Sequence, residues 1–321
     1  MTVHRTLRAA CAAAALAASL AAHAQPATTR IVVGGPGGGN TDIAARLVAE
    51  KLAQSLGTTV IVENRPGAGG VVAAEIVKNA KPDGTTIGLV TVSNAANETI
   101  MKSKSYSLVN DLEPVGLYAW LANVLIVGPA VKADGVEALV RELREKGPTN
   151  YASGGVGSPG HLSGETFRLR TGLALTHVPY KGAPPAVLSV VTGETAFMFA
   201  TASAALPQIK GGKVRALAVT SAARLSELPD VPTLAEAGMG TIDVRDWVGF
   251  VVPKETPQAV REKLHRAFAE AFGDASVRER LQRNTMLAAQ PPLDPEGFRR
   301  FLADDVAKWA KTVKDAGIPI Q

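Results

Sequence analysis

The chain has 321 residues, 46% of them apolar and 20% charged, with a formal net charge of +5. That length predicts about two domains of roughly 150 residues each, with a core that needs neither disulfides nor metal. The composition excludes a disordered chain, a fibrous repeat and a disulfide-stapled mini-domain.

At the N-terminus Arg5 and Arg8, with no acid, precede an apolar Ala/Leu run over 9–22 that ends in Ala22-His23-Ala24. A short basic region, an apolar stretch of this length and an A-x-A site predict a secretory signal peptide over 1–24, cleaved after Ala24. The run is shorter than the about 20 residues that span a bilayer. Cys11, the only cysteine, lies inside the run instead of after it, which argues against a lipid anchor. The two arginines are not adjacent, so there is no twin-Arg signal. The expected location is the periplasm. Cleavage leaves 297 residues (321 less 24); two of the 34 Lys and Arg leave with the leader, so the net charge falls from +5 to +3.

Residues 30–33 read as a buried strand ending at Gly34 to Gly39. A helix follows with Ile43, Leu47, Val48, Leu52 and Leu56 on one face at near 3.6 spacing. Asn40 is its expected N-cap, Asp42 suits the first turn, and Gly57 is the stop. Residues 58–62 are the next strand, then Pro66 to Gly70 turn into an apolar segment over 71–77, and 85–92 form another strand. A helix is expected over 133–146, a short strand over 149–153, a second Gly-rich loop over 154–160 and a helix through Leu162, Thr166 and Leu169. Strands over 173–178, 196–200, 214–220 and 244–252 follow. Two more helices run through Val260, Leu264 and Phe268, and through Phe298, Phe301, Leu302, Val306, Trp309 and Val313. Strands alternating with helices predict an α/β fold with mostly parallel, helix-covered sheets. Two such units, each with a Gly loop, suggest two lobes with a cleft at the strand ends.

The two strand–Gly loop–helix units carry the chemistry. A helix N-terminus presents unpaired N–H groups and about +0.5 charge, and glycine lets an anion approach the backbone. Two such ends facing a cleft suit carboxylates. In the second unit Ser158 is the expected N-cap and Pro159 takes N1. The alternative for each loop is an ordinary βα turn.

Other chemistries fit less well. Gly155-Val156-Gly157-Ser158-Pro159-Gly160 matches G-x-G-x-x-G, but no acid stands about 20 residues on, where His177 to Lys181 lie, so a dinucleotide cofactor is not expected. There is no G-x-S-x-G elbow, no cysteine after residue 11, and no zinc-ligand spacing among His161, His177 and His265; no catalytic residue or metal site is predicted. His161, in the first turn after Ser158, stands either at the ligand or ordering its own loop. His265 reads as a solvated helix residue, and Trp247 and Trp309 as core, although Arg245 and Asp246 beside Trp247 leave its role open. Lys and Arg are scattered without interleaved aromatics, so no nucleic-acid partner is expected.

The ordered stretches Gly38 to Asp42, Val62 to Gly70, Lys81-Pro82-Asp83-Gly84, Asn150 to Ser153, His161-Leu162, His177 to Gly182, Ala204 to Pro207, Arg215 to Thr220, Leu228 to Thr233 and Lys314 to Gly317 resemble the extracytoplasmic solute receptors of tripartite tricarboxylate transporters, the Bug family. The resemblance covers nearly all of 25–321. It implies a two-lobe fold like the type II periplasmic binding proteins, with 25–128 plus 220–321 as lobe 1 and 129–219 as lobe 2. It implies a non-enzymatic, monomeric, cofactor-free receptor that passes a mono-, di- or tricarboxylate or an aromatic acid to membrane transporter subunits. The alternatives are a carboxylate sensor for a membrane kinase and a secreted hydrolase. By position it implies ligand contacts at Gly38, Gly39, Asn40 and Thr41, and at Ser153, Gly157 and Ser158. Ala68, Gly69, Thr91, Ser93, Asn94, His161 and Thr201 complete the expected wall. Two departures bear on specificity: Gly35 stands where an aromatic is usual, implying a wider pocket, and Ala200-Thr201 replaces Asp-Asn. The second removes a carboxylate partner for a ligand ammonium group and points to a purely anionic or aromatic acid.

Overall fold

The computed structural model describes residues 28–240 and 244–321. The expected signal peptide, residues 1–24, lies outside the described residues.

Eleven strands fall into two sheets among the described residues. The first has the order β11-β4-β10-β3-β1-β2, with β1 Thr28–Val33, β2 Thr59–Asn64, β3 Thr86–Val90, β4 Leu112–Leu121, β10 Asp246–Pro253 and β11 Met286–Leu293. Strands β1, β2 and β3 are parallel, and β10, β4 and β11 pair antiparallel beyond them. The second has the order β7-β6-β8-β5-β9, with β5 Asn123–Val127, β6 Thr149–Ser153, β7 Leu175–Pro179, β8 Phe197–Thr201 and β9 Arg215–Val219. Here β6 is parallel to β7 and β8, and β5 runs antiparallel to β8 and β9.

Ten α-helices connect these strands: α1 Asn40–Leu56, α2 Val71–Lys78, α3 Val92–Ile100, α4 Val136–Lys146, α5 Pro159–Thr171, α6 Ala183–Thr192, α7 Ala202–Lys210, α8 Gln258–Gly273, α9 Ala275–Arg283 and α10 Pro295–Ala316. In α1 the apolar stripe buries Leu47, Val48 and Leu52, and Gly57 ends the helix in the left-handed region at φ 69°. Most of the first sheet is buried, and both tryptophans of interest are core: Trp247 is 0% and Trp309 1% exposed.

The chain leaves the first sheet at Ala122, immediately after β4, so β5 belongs to the second sheet and not to lobe 1 as expected. Its five residues, Asn-Val-Leu-Ile-Val, are buried on both faces, which makes them a central strand. The return is also later than residue 220. Thr233 bridges Val219, and Leu225 and Leu228 pack with Val187 and Val219 in the core of the second unit.

Several elements escaped the sequence reading. Pro184 and Pro185 open α6 instead of breaking it, because they occupy its first turn, where no N–H is needed. Strand β11 contains Pro291 and Pro292, which an edge strand tolerates. The segment read as one strand over 85–92 ends at Val90, where Thr91 begins a capping box for α3.

Candidate functional site

A cavity of about 760 Å³ opens at the C-terminal ends of β1, β3 and β8. The starts of six helices line it: α1, the 3₁₀ turn Ala68–Gly70 that leads into α2, α3, α5, α6 and α7. These ends contribute partial positive charge and N–H groups, except that α5 meets the cavity at Pro159, which has no N–H.

The six starts are not equivalent. At α3, Thr91 accepts the Ser93 N–H at 3.3 Å while Asn94 accepts the Thr91 N–H at 3.0 Å. At α5, Ser158 accepts the His161 N–H at 3.3 Å. These two ends are capped by their own side chains. The starts of α1, α6 and α7, and of the 3₁₀ turn, have no side-chain cap. The N-cap of α1 is Gly39, one residue before the expected Asn40. Asn40 instead accepts a hydrogen bond from the Ser203 hydroxyl of α7, joining two of the uncapped helices across the cleft. In α7 the Ala202 N–H goes to Ala122 O at 3.0 Å, and the next donors are those of Ser203 and Ala204, both on the cavity wall.

The first Gly loop is held from below. Asp42 accepts Gly38 N–H at 2.8 Å and Arg46 Nε at 2.9 Å. Burial pushes its carboxyl up, but the bonds from Arg46, Gly38 and Asn64 outweigh that and hold it below the usual carboxylate range. Gly34 approaches Gly70 so closely that a Cβ on it would stand 2.5 Å from Gly70 Cα. Gly35 lines the cavity; a Cβ on it would stand 2.4 Å from Thr41 Oγ1, and its carbonyl accepts a hydrogen bond from Asn64 Nδ2 at 3.1 Å.

Of the expected contacts, Gly38, Gly39, Asn40, Thr41, Gly69, Thr91, Ser93, Asn94 and Thr201 line the cavity. Ala68, Ser153, Gly157, Ser158 and His161 do not; the second Gly loop reaches the cavity through Pro159 alone. The reason is an internal polar network. The Gly157 N–H donates to His161 Nδ1 at 3.1 Å, and the His161 ring stacks on His177 with centroids 3.8 Å apart. Ser153 Oγ, in turn, lies 2.6 Å from His177 Nε2. In this arrangement His161 orders its own loop. Gly157, at φ 73°, packs on Asn97 of α3, whose amide donates to Ala68 O at 3.1 Å and Gly69 O at 3.2 Å. The Ser153–His177 pair is not a nucleophile facing a substrate, because Ser153 is fully buried away from the cavity.

Burial lowers His161 to about 4, and burial with the neighbouring His161 ring lowers His177 to about 3. Both lie below the unfolded value of about 6.5, so the unfolded chain binds more protons, and their contribution to stability is lost as pH falls from 6.5 towards 4. Asp246 titrates in the opposite sense over part of the same window, so the readout is a difference. In urea denaturation, the stability advantage of the parent over His161→Gln is expected to shrink by roughly 3 kcal/mol between pH 7 and 4. A difference independent of pH would contradict the assignment.

Sequence reading also missed residues. His265 is half-buried, its Nδ1 2.8 Å from the Tyr118 hydroxyl, and is not the solvated residue expected. Lys181, Gly182 and Pro184 line the second-lobe side of the cavity; the first two lie in a stretch that carries the resemblance, but none of the three was expected in the wall. Asp246 lines the first-lobe side at 3% exposure. Burial pushes its carboxyl up to about 7; N–H groups of Trp247 and Val92 pull against that, and the charge of Asp305 adds to it. Among the described lining residues, Lys181 and Asp246 are the charged ones.

Residues 44–318 match the model of the tripartite tricarboxylate transporter family receptor. Protein BugT of Bordetella pertussis is 35% identical over 97% of this chain and 96% of its own. The solved structure of Rpa4515 of R. palustris with adipate has a TM-score of 0.82 at 31% identity, covering 92% of this chain and 99% of that one. MatC of Rhodopseudomonas palustris with bound malate has a TM-score of 0.78 at 28% identity, covering 90% and 99%. No helix among the described residues is long and apolar enough to cross a membrane. The chain belongs to the tripartite tricarboxylate transporter receptor family.

Proposed function

We propose that the chain is an exported, periplasmic receptor that captures a small organic carboxylate in the cleft and hands it to membrane transporter subunits. The observation that carries this reading is the ring of six helix starts around one cavity, with α1 and α7 uncapped and bridged by Asn40 and Ser203. Their free first-turn donors bind a carboxylate at a helix end. The relatives with adipate and malate in their structures support the same ligand class. The basic, apolar, A-x-A pattern of 1–24 supports export.

Titration calorimetry of residues 25–321 against malate, adipate, citrate and benzoate tests the reading. Saturable binding of at least one of them is expected, and mass spectrometry of ligand released from the purified protein is expected to find an acid. No heat or thermal shift with any carboxylate would overturn it. Delivery is checked separately, by capture of the membrane subunits on the ligand-loaded receptor.

A further inference from the structure

We infer that Asp246 is a ligand-contacting, specificity-determining residue that accepts a hydrogen bond from an amino group on the bound acid, so that the preferred ligand is an amino-carboxylate. This rests on the carboxylate reading above and adds to it the second group the ligand must carry.

The geometry begins with where Asp246 lies. It is the first residue of β10, which runs antiparallel to β3, so it stands at the same edge of the sheet as the C-terminal end of β3 and the start of α3. It lines the cavity and is 3% exposed. One carboxyl oxygen accepts the Trp247 N–H at 2.9 Å. A buried carboxylate needs a cation or a full set of donors, because burial without one costs several kcal/mol. Asp246 has two backbone N–H partners, and the charge acting on it is the carboxylate of Asp305. No cation appears among the groups acting on it, and the cavity's lysine, Lys181, is exposed on the opposite lobe. Burial holding the carboxyl near 7 fits a group whose positive partner is not supplied by the protein.

The placement suits one ligand bridging two poles. Strands β10, β3 and β1 are consecutive neighbours, so Asp246 and the end of β1 that feeds α1 stand at the same edge of one sheet, two strands apart. The carboxylate then sits at the uncapped starts of α1 and α7, and the ammonium at Asp246. The absence of an acid at Ala200-Thr201 therefore does not leave the cavity without one. The carboxylate comes from the strand on the other side of the cleft.

The experiment uses pairs that differ by the amino group: L-glutamate with glutarate, L-leucine with 4-methylpentanoate, and 4-aminobutyrate with butyrate. Calorimetry on residues 25–321 is expected to find the amino member of at least one pair bound tenfold or more tighter than its partner. Asp246→Asn is expected to bring that ratio close to one, chiefly by weakening the amino member of the pair. Asp246→Ser, which also removes the charge, should behave alike, and thermal unfolding checks that both variants fold. Equal binding within every pair overturns the inference, and so does an undiminished ratio in both variants. If malate or adipate binds and no member of the three pairs does, the inference fails and the carboxylate reading stands. If no carboxylate of any kind binds, that reading itself has failed.

Discussion

Thr201→Asp is expected to raise the melting temperature and, at the same time, to weaken carboxylate binding at least about 100-fold, equivalent to about 2.7 kcal/mol. Thr201 is the N-cap of α7, yet its side chain makes no capping bond. Aspartate at an N-cap accepts from the N–H groups two and three positions on, which here are those of Ser203 and Ala204 on the cavity wall. Filling an empty cap is worth about 1 kcal/mol, and a carboxylate at the positive end of a helix adds a few tenths more. The same carboxylate takes the donors a ligand would use and repels its charge. Stability and affinity therefore move in opposite directions, which separates a binding role from a folding defect. Thr201→Asn, a neutral cap, should give a similar gain in melting temperature with a smaller loss of affinity. Calorimetry and thermal unfolding on the same samples check both. Unchanged affinity in the aspartate variant would remove α7 from the site.

Asp305→Ala is expected to cost about 3–5 kcal/mol in stability, read as a lower denaturation midpoint in urea. Asp305 lies on α10 at 3% exposure, and its Oδ2 accepts both the Trp247 and the Trp309 indole N–H groups, each at 3.0 Å. Its Oδ1 lies 2.8 Å from Lys308 Nζ. Removal strands two buried indole donors at once, and each unsatisfied donor costs about 1–3 kcal/mol. Asp305→Asn, which retains an oxygen acceptor, should lose less than the alanine variant. Equal losses in the two would mean that the charge, not the indole bonds, carries the stabilisation.

The sequence predicted the order of strands and Gly loops well where local pattern and tertiary role agree. The stripe of α1, the Gly57 stop and the Ser158-Pro159 start of α5 are local features, and the structure retains each of them. The elements that were missed depend on non-local context. Strand β5 has no alternation to mark it, because both its faces are buried, and Pro184-Pro185 reads as a break until the helix it begins is known. The site divides the same way. The first loop was legible from its place at a strand end, and the residues after β3 from the family resemblance; both line the cavity. The second loop carried the same signal, but His161 and His177, 16 positions apart in the chain, stack and use the donor of Gly157. Asp246 was legible only as an acid beside an apolar tryptophan, since nothing local says that β10 begins at the mouth of the cleft.

The second sheet is built from one uninterrupted stretch, from β5 at Asn123 to β9 at Val219, with Thr233 bridging back to it. The first sheet is assembled from the two flanking stretches. One half of the cleft is therefore a cassette, bounded by just two joins, at Ala122 and in the segment after Thr233. A single recombination event between family genes could exchange Lys181, Thr201 and Ser203 as a block while leaving Asp246 and the first Gly loop with the host. The ligand range of such a lineage would be inherited in two separable parts, and its chimaeras would need only those two joins to preserve both sheets.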